Sequence, residues 1–481
     1  EDTAAKYRAW HWNVIEINGN DPTEICAALD SAIAEKERPT LIIGNTVMGR
    51  GVVKADGSNF EGQCSTHGQP LSKSGASYEK TIENLGADPA DPWHIREDVA
   101  KLYADRRAEL LETVHRRRAE EAEWRQSHPA EAAQLDDFLA GRLPVINYAS
   151  IVHKANIATR TASANVLSEL AVYIKNMIVS SADLANSDKT DAFLKKTHAL
   201  THGDFTGAFL HAGVAELTMA SIMNGIVLHG GMIAACGTFF VFSDYMKPAI
   251  RMAALMELPV KYVWTHDAFR VGEDGPTHEP VEQEAQIRLL EELRNLSGRP
   301  SMLVLRPADS AETTVAWEMA MNNDKTPTGL ILSRQDVTDI PTTTGDRYAD
   351  AQGTRQGGYT VIDTPNPAVI LVGNGSEVSL LCDVAMRLKE EGIGARVVSV
   401  PSIGLFNMQP AAYRESILTP GVKTFGLTAG LPSTLRSVIG SDGYIYGLDH
   451  FGASAPYKVL DEKFGFTADN ILAQVKALIN S

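Results

Sequence analysis

The chain has 481 residues, 44% of them hydrophobic and 22% charged, with a formal net charge of −16 at pH 7. One core rarely organises so long a chain, so two to four domains of roughly 100–200 residues are expected. The acidic field argues against nucleic acid or an anionic membrane as partner, and no apolar run reaches the about 18 residues of a membrane span. Cys26, Cys64, Cys236 and Cys382 stand apart without C-x-x-C spacing, and no signal-peptide pattern opens the chain, so a cytoplasmic location is expected.

In chain order, Trp12-Asn13-Val14-Ile15-Glu16-Ile17 reads as a strand. Ile25, Ala28, Leu29, Ala32 and Ile33 form a helical stripe, and Leu41-Ile42-Ile43 is a second strand. This βαβ unit needs neighbouring strands to cover its sheet, so the remainder of its domain is expected outside these residues or on another chain. Residues 50–80, rich in Gly, Ser and Lys, read as a loop. Residues 96–140 read as a charged helical connector with Val99, Leu102, Tyr103, Leu110 and Val114 on one face. The run Arg116-Arg117-Arg118 is flanked by Glu120, Glu121 and Glu123 and reads as a solvated helix face.

Residues 155–335 alternate helix and strand, with strands expected at Met177–Ser180, Met232–Phe239, Lys261–Thr265, Met302–Leu305 and Gly329–Ser333. That is an α/β domain with a mostly parallel sheet. Residues 336–360 read as a linker, and a third α/β unit runs from Ala368-Val369-Ile370-Leu371-Val372 to a closing helix at Asn470–Ile479.

Ligands of open α/β sheets gather at the carboxyl ends of strands. There stand Thr265-His266-Asp267 and Gly272-Glu273-Asp274-Gly275-Pro276-Thr277-His278-Glu279-Pro280, where Gly-Pro forces a turn able to bring Asp274 and His278 together. A capped turn with solvent-facing histidines explains the same residues. No third ligand accompanies His266 and His278, so zinc is rejected. The absence of G-x-S-x-G, P-loop and G-x-G-x-x-G motifs removes support for hydrolase, NTPase and dinucleotide readings. Glu216 opens an otherwise apolar helix. It is either a first-turn acid favoured by the helix dipole or a buried carboxyl that shares a proton with a ligand nitrogen. Phe239, Phe242 and Tyr245 are either core or a flat wall for a heteroaromatic ring.

Taken in order, Ser65-Thr66-His67-Gly68, Thr159-Arg160-Thr161-Ala162-Ser163, Ser181-Ala182-Asp183-Leu184-Ala185-Asn186-Ser187, Gly275-Pro276-Thr277-His278 and Ile331-Leu332-Ser333-Arg334-Gln335 resemble transketolase along essentially the whole chain. The resemblance implies three-layer, doubly wound α/β domains with mostly parallel sheets, the thiamine-diphosphate-binding fold, plus a C-terminal α/β domain. Residues 1–80 would be the remainder of a diphosphate-binding domain, 81–150 a helical linker, 151–335 the pyrimidine-binding domain, 336–365 a linker and 366–481 the C-terminal domain.

The implied activity is that of a homodimeric, cytoplasmic pentose phosphate pathway transferase. It moves a two-carbon ketol unit between sugar phosphates through a thiamine diphosphate ylide. By the same resemblance Glu216 would hydrogen-bond the aminopyrimidine. Phe242 would stack on it, with Phe239 and Tyr245 completing the pocket and Asp183 nearby. Arg160, Ser187, His266 and Arg334 would hold the substrate phosphate, Asp274 a donor hydroxyl, and His278 with His67 would move protons, His266 joining them as a catalytic residue.

The family's G-D-G motif and following asparagine, which hold Mg2+ and the diphosphate, have no counterpart here. Those ligands are expected in an N-terminal region beyond these residues, and metal ligands within the chain are expected to be none. Smaller departures are Ser180, Leu217 and Thr428. The alternatives are the larger subunit of a split or related thiamine-diphosphate enzyme, and a cofactor-free, non-catalytic relative.

Overall fold

The computed structural model describes residues 1–481, in two compact units, Glu1–Ser127 and His128–Ser481. In the first unit, β1 (Asn13–Asn18) and β2 (Thr40–Asn45) pair in parallel around the crossover helix Pro22–Ala34. Asp21 caps that helix by accepting from the Thr23 amide, and Pro22 supplies a pre-set first turn. The expected stripe is only partly used. Ala28 is buried, while Leu29 and Ile33 are 50% and 67% exposed, because two strands cover little of one helix face.

The stretch 50–80, expected as a loop, carries the short helices Leu71–Ser74 and Tyr78–Asn84, the second capped by the Ser77 hydroxyl. The connector helix Glu97–Ser127 buries none of its residues, so Val99, Leu102, Tyr103, Leu110 and Val114 are exposed. Its surface carries ion pairs four residues apart, Lys101 with Asp105 and Arg116 with Glu120, which accounts for the arginine run as solvated surface.

The second unit holds two sheets. β3 (Met177–Ser181), β4 (Phe209–His211), β5 (Ile233–Phe239), β6 (Lys261–Thr265), β7 (Leu303–Leu305) and β8 (Thr328–Leu332) form an all-parallel sheet in the order β4-β3-β5-β6-β8-β7. Both faces are covered. Val263 and Leu330 pack with Leu167 and Trp317 of helices Thr159–Tyr173 and Ser310–Asn322. Tyr262, Trp264 and Ile331 pack with Met223 and Ile250 of helices Glu216–His229 and Ser243–Leu255. Burial on both sides explains why these strands are continuous apolar runs. The three-residue edge strand β4 had no such run and was not anticipated.

β9 (Tyr359–Ile362), β10 (Val369–Gly373), β11 (Ala395–Ser399), β12 (Lys423–Leu427) and β13 (Tyr444–Tyr446) form the second sheet, ordered β13-β12-β10-β11-β9, with β9 antiparallel to β11. β9 lies within the stretch read as linker. The observed folds are those expected, a three-layer, mostly parallel α/β domain followed by a second α/β domain with a mixed sheet.

A candidate active site at the carboxyl ends of the central strands

β3, β5, β6 and β8 run parallel, so the residues that follow them share one edge of the sheet. His266, just beyond β6, adopts a left-handed backbone (φ 63°) that few side chains tolerate and is almost wholly buried. Its Nδ1 lies 2.8 Å from the Thr265 hydroxyl, and its Nε2 3.5 Å from Arg160 Nη1. Burial, and then the neighbouring Arg160 and Arg334 charges, push its pKa down to about 2, so the ring is neutral and one nitrogen stays free to accept.

Arg160 reaches this edge because the start of its helix is tied to the end of β8. The Ser333 amide donates to Thr159 Oγ1 at 2.7 Å, and the Thr159 amide donates back to Ser333 Oγ at 3.0 Å. Arg160 Nη1 donates to the Ser187 carbonyl at 2.7 Å, while its buried Nε has no partner. Burial and the Arg334 charge lower the Arg160 pKa. Ser187 sits on the short turn Ala185–Asp188, whose last carboxylate is buried and accepts from the Ser181 hydroxyl at 2.6 Å. A Cβ at Gly237 would stand 2.8 Å from that carboxylate, so glycine is required for the close approach. Asp183, in a left-handed conformation (φ 62°), is exposed at the same edge.

An aromatic wall adjoins this polar set. Phe239 stacks on His266 with centroids 3.5 Å apart, Phe242 lies nearly parallel to Phe239 at 6.1 Å, and Tyr245 continues the stack at 5.9 Å. His278 meets Phe242 edge-on at 5.4 Å, its Nδ1 2.8 Å from the Thr277 hydroxyl. The turn before it closes through the His278 amide on the Gly275 carbonyl and leaves Asp274 exposed. Glu216 opens its helix and is 8% exposed, and no hydrogen bond or ion pair reaches its carboxylate. His67, in the first unit, is exposed beside the turn Cys64–Thr66.

Two features at this edge escaped the sequence. Asp267, next to His266, accepts from buried Arg306 at 2.7 Å, and Arg306 also pairs with Glu377 at 2.5 Å. Gly375-Ser376-Glu377, at the start of the helix Glu377–Glu390, takes part in this network. The Ser376 hydroxyl donates to Glu377 and accepts from Arg270, and makes no capping bond. Glu279, beside His278, is buried with both carboxylate oxygens unpaired, and burial raises its pKa to about 7.

Residues 1–144 match the thiamine diphosphate binding domain of transketolase, 155–339 its pyrimidine binding domain and 357–467 the transketolase-like C-terminal domain. Fold, site and matches together define a thiamine-diphosphate-dependent transferase. Over its full length the chain is 38% identical to the transketolase of Geobacillus stearothermophilus and 36% to that of Bacillus subtilis, covering 70% of each. Transketolase from Leishmania mexicana superposes with a TM-score of 0.87 at 32% identity, over all of this chain and 68% of that one. Transketolase from Pichia stipitis in complex with sedoheptulose-7-phosphate does so at 0.86 and 30%, over all of this chain and 69% of the other. The chain belongs to the transketolase family.

Proposed function

We propose that this chain transfers a two-carbon ketol unit from a ketose phosphate to an aldose phosphate, as a step of the pentose phosphate pathway. Arg160, Ser187, His266 and Arg334 hold the phosphate end. The observation that carries this reading is the convergence of Arg160, Ser187 and His266 at one sheet edge, with the Arg160 Nε buried and unpaired. A guanidinium with a spare donor suits a phosphate oxygen. His266, neutral and stacked on Phe239, orients the sugar without adding charge. Asp274 reads a donor hydroxyl. His278 moves protons at the reacting carbonyl and hydroxyl, and His67 is assigned the same work by residue type alone.

The residues present fit the pyrimidine half of thiamine diphosphate. The nearly parallel Phe239, Phe242 and Tyr245 rings offer a flat apolar wall, and Glu216 offers a sheltered carboxyl without a partner in the chain. Glu216 would bond the ring nitrogen, Phe242 would stack, and Asp183 would lie beside it. When bound, the cofactor supplies the carbanion stabilisation that ketol transfer demands. No group of three or more His, Cys, Asp or Glu residues is placed to hold a metal, and no step is assigned to Mg2+ or to the diphosphate.

A homodimer is the proposed assembly. Leu217, Leu228, Met252 and Met256 line an apolar groove of about 390 Å³ between helices Glu216–His229 and Ser243–Leu255, suited to a second copy. No helix is long and apolar enough to cross a membrane and the four cysteines are unpaired, in keeping with a cytoplasmic location. Residues 151–335 are assigned to pyrimidine binding and 366–481 to the C-terminal domain. The test is a coupled assay of the native protein with xylulose and ribose phosphates, thiamine diphosphate and Mg2+. Ketol transfer is expected, and no product from that pair would overturn the reading.

A further inference from the structure

At the opposite edge of the parallel sheet, beside the amino ends of its strands, lies a cavity of about 760 Å³. Asn176, Ile233 and Lys261 bound it at β3, β5 and β6, and Leu139, Leu258 and Met321 supply apolar wall. Its size falls in the range of small-molecule sites.

Lys261 is 2% exposed, and its Nζ has one polar partner, the carbonyl of Asn323 at 2.7 Å. That carbonyl ends the helix Ser310–Asn322, where a cation would ordinarily be welcome. Here the amine is buried, and neither Glu257 nor Asp324, the carboxylates that also line the cavity, forms an ion pair with it. An ammonium stripped of water and without a counter-ion favours its neutral form, and burial lowers the Lys261 pKa to about 7 against a weaker opposing pull from Asp324. A neutral amine can cap Asn323 with one N–H and keep a lone pair free.

We propose that Lys261 is a nucleophilic amine that condenses with small aldehydes entering this cavity, a covalent modification site separate from the transfer site. The lone pair attacks the carbonyl carbon as the C=O π bond breaks, and one N–H proton passes to the carbonyl oxygen, giving a carbinolamine whose hydroxyl then leaves with the second N–H proton. Loss of that oxygen as water leaves the imine. No oxidant or reductant is consumed, and hydrolysis reverses the step. Open-chain aldoses belong to the same electrophile class, but the inference does not depend on the ketol-transfer reading.

The test is reductive trapping on the folded native protein, with glycolaldehyde and cyanoborohydride at pH 7, read by peptide mass. At that pH a lysine with a pKa near 7 has a free-amine fraction about 10³-fold that of an ordinary lysine. Its lower basicity offsets part of this, leaving an expected advantage of about tenfold or more. Lys261 should therefore label at least about tenfold faster than the exposed Lys101 and Lys195, with a rate that rises through pH 7, and Lys261→Met should remove that label. Labelling no faster than the exposed lysines, or only after unfolding, would overturn the proposal. The comparison among lysines of the unmodified chain stands even where the variant does not fold.

Discussion

The imidazole of His266 lies against the phenyl ring of Phe239, centroids 3.5 Å apart and planes inclined by 27°. This contact joins the polar cluster around Arg160 to the aromatic wall, so a ligand spanning both would meet charge at one end and a flat apolar surface at the other.

His266 should remain neutral wherever the protein stays folded. Its folded pKa of about 2 lies far below the unfolded value near 6.5, so protons favour the unfolded chain. The stability it contributes is complete above about pH 6.5 and is lost as pH falls toward 2. Histidine NMR should find one ring that does not titrate between pH 8 and 5. His266→Gln should flatten the loss of Tm over that interval, and an unchanged slope would count against a buried neutral ring.

Arg160→Ala should raise KM for phosphorylated acceptors by about 10- to 100-fold, the worth of one or two charge-assisted hydrogen bonds. The kcat should change less. An unphosphorylated aldose, such as glycolaldehyde, should be nearly indifferent to the substitution. Equal losses on both substrates would mean that Arg160 supports the fold and not the phosphate.

How much of this was legible in the sequence depended on range. β5, β6 and β8 are buried on both faces and announced themselves as apolar runs, and the residues after them could be singled out before any geometry was known. The site residues stood out through ordered motifs, while their mutual distances did not, because Arg160 and His266 are 106 positions apart. Asp267, Arg306 and Glu377 were invisible as a group, since Arg306 meets partners 39 and 71 positions away. No local pattern encodes such a meeting. The exposure of Leu29 and Ile33 was equally hidden, because periodicity marks an apolar face but not what covers it.

Glu216→Gln keeps the shape of the side chain and removes its acid. Thiamine diphosphate binding should persist within about tenfold, whereas kcat should fall by about 10²-fold or more, the usual weight of a positioned acid–base group. Cofactor quenching of tryptophan fluorescence separates the two effects. Full activity in the variant would remove Glu216 from the chemistry.

Arg306 is the buried hub that braces the segment carrying His266. It pairs with Asp267 and Glu377 and lies 3.5 Å from Glu284, all of them buried. Arg306→Met retains apolar bulk but strands Asp267 without its cation, whereas Glu377 keeps Arg270 and Glu284 keeps Arg288, and removing one partner of a buried ion pair typically costs about 3–5 kcal/mol. Thermal unfolding should show a marked fall in Tm. Asp267→Asn added to Arg306→Met should recover part of it, because the stranded charge is then gone. The Asp267 carboxyl already has a raised pKa, burial outweighing the Arg306 charge. The penalty in Arg306→Met should therefore shrink as pH falls and the abandoned Asp267 carboxylate takes up a proton. A penalty independent of pH would mean that lost packing, and not stranded charge, makes Arg306 matter.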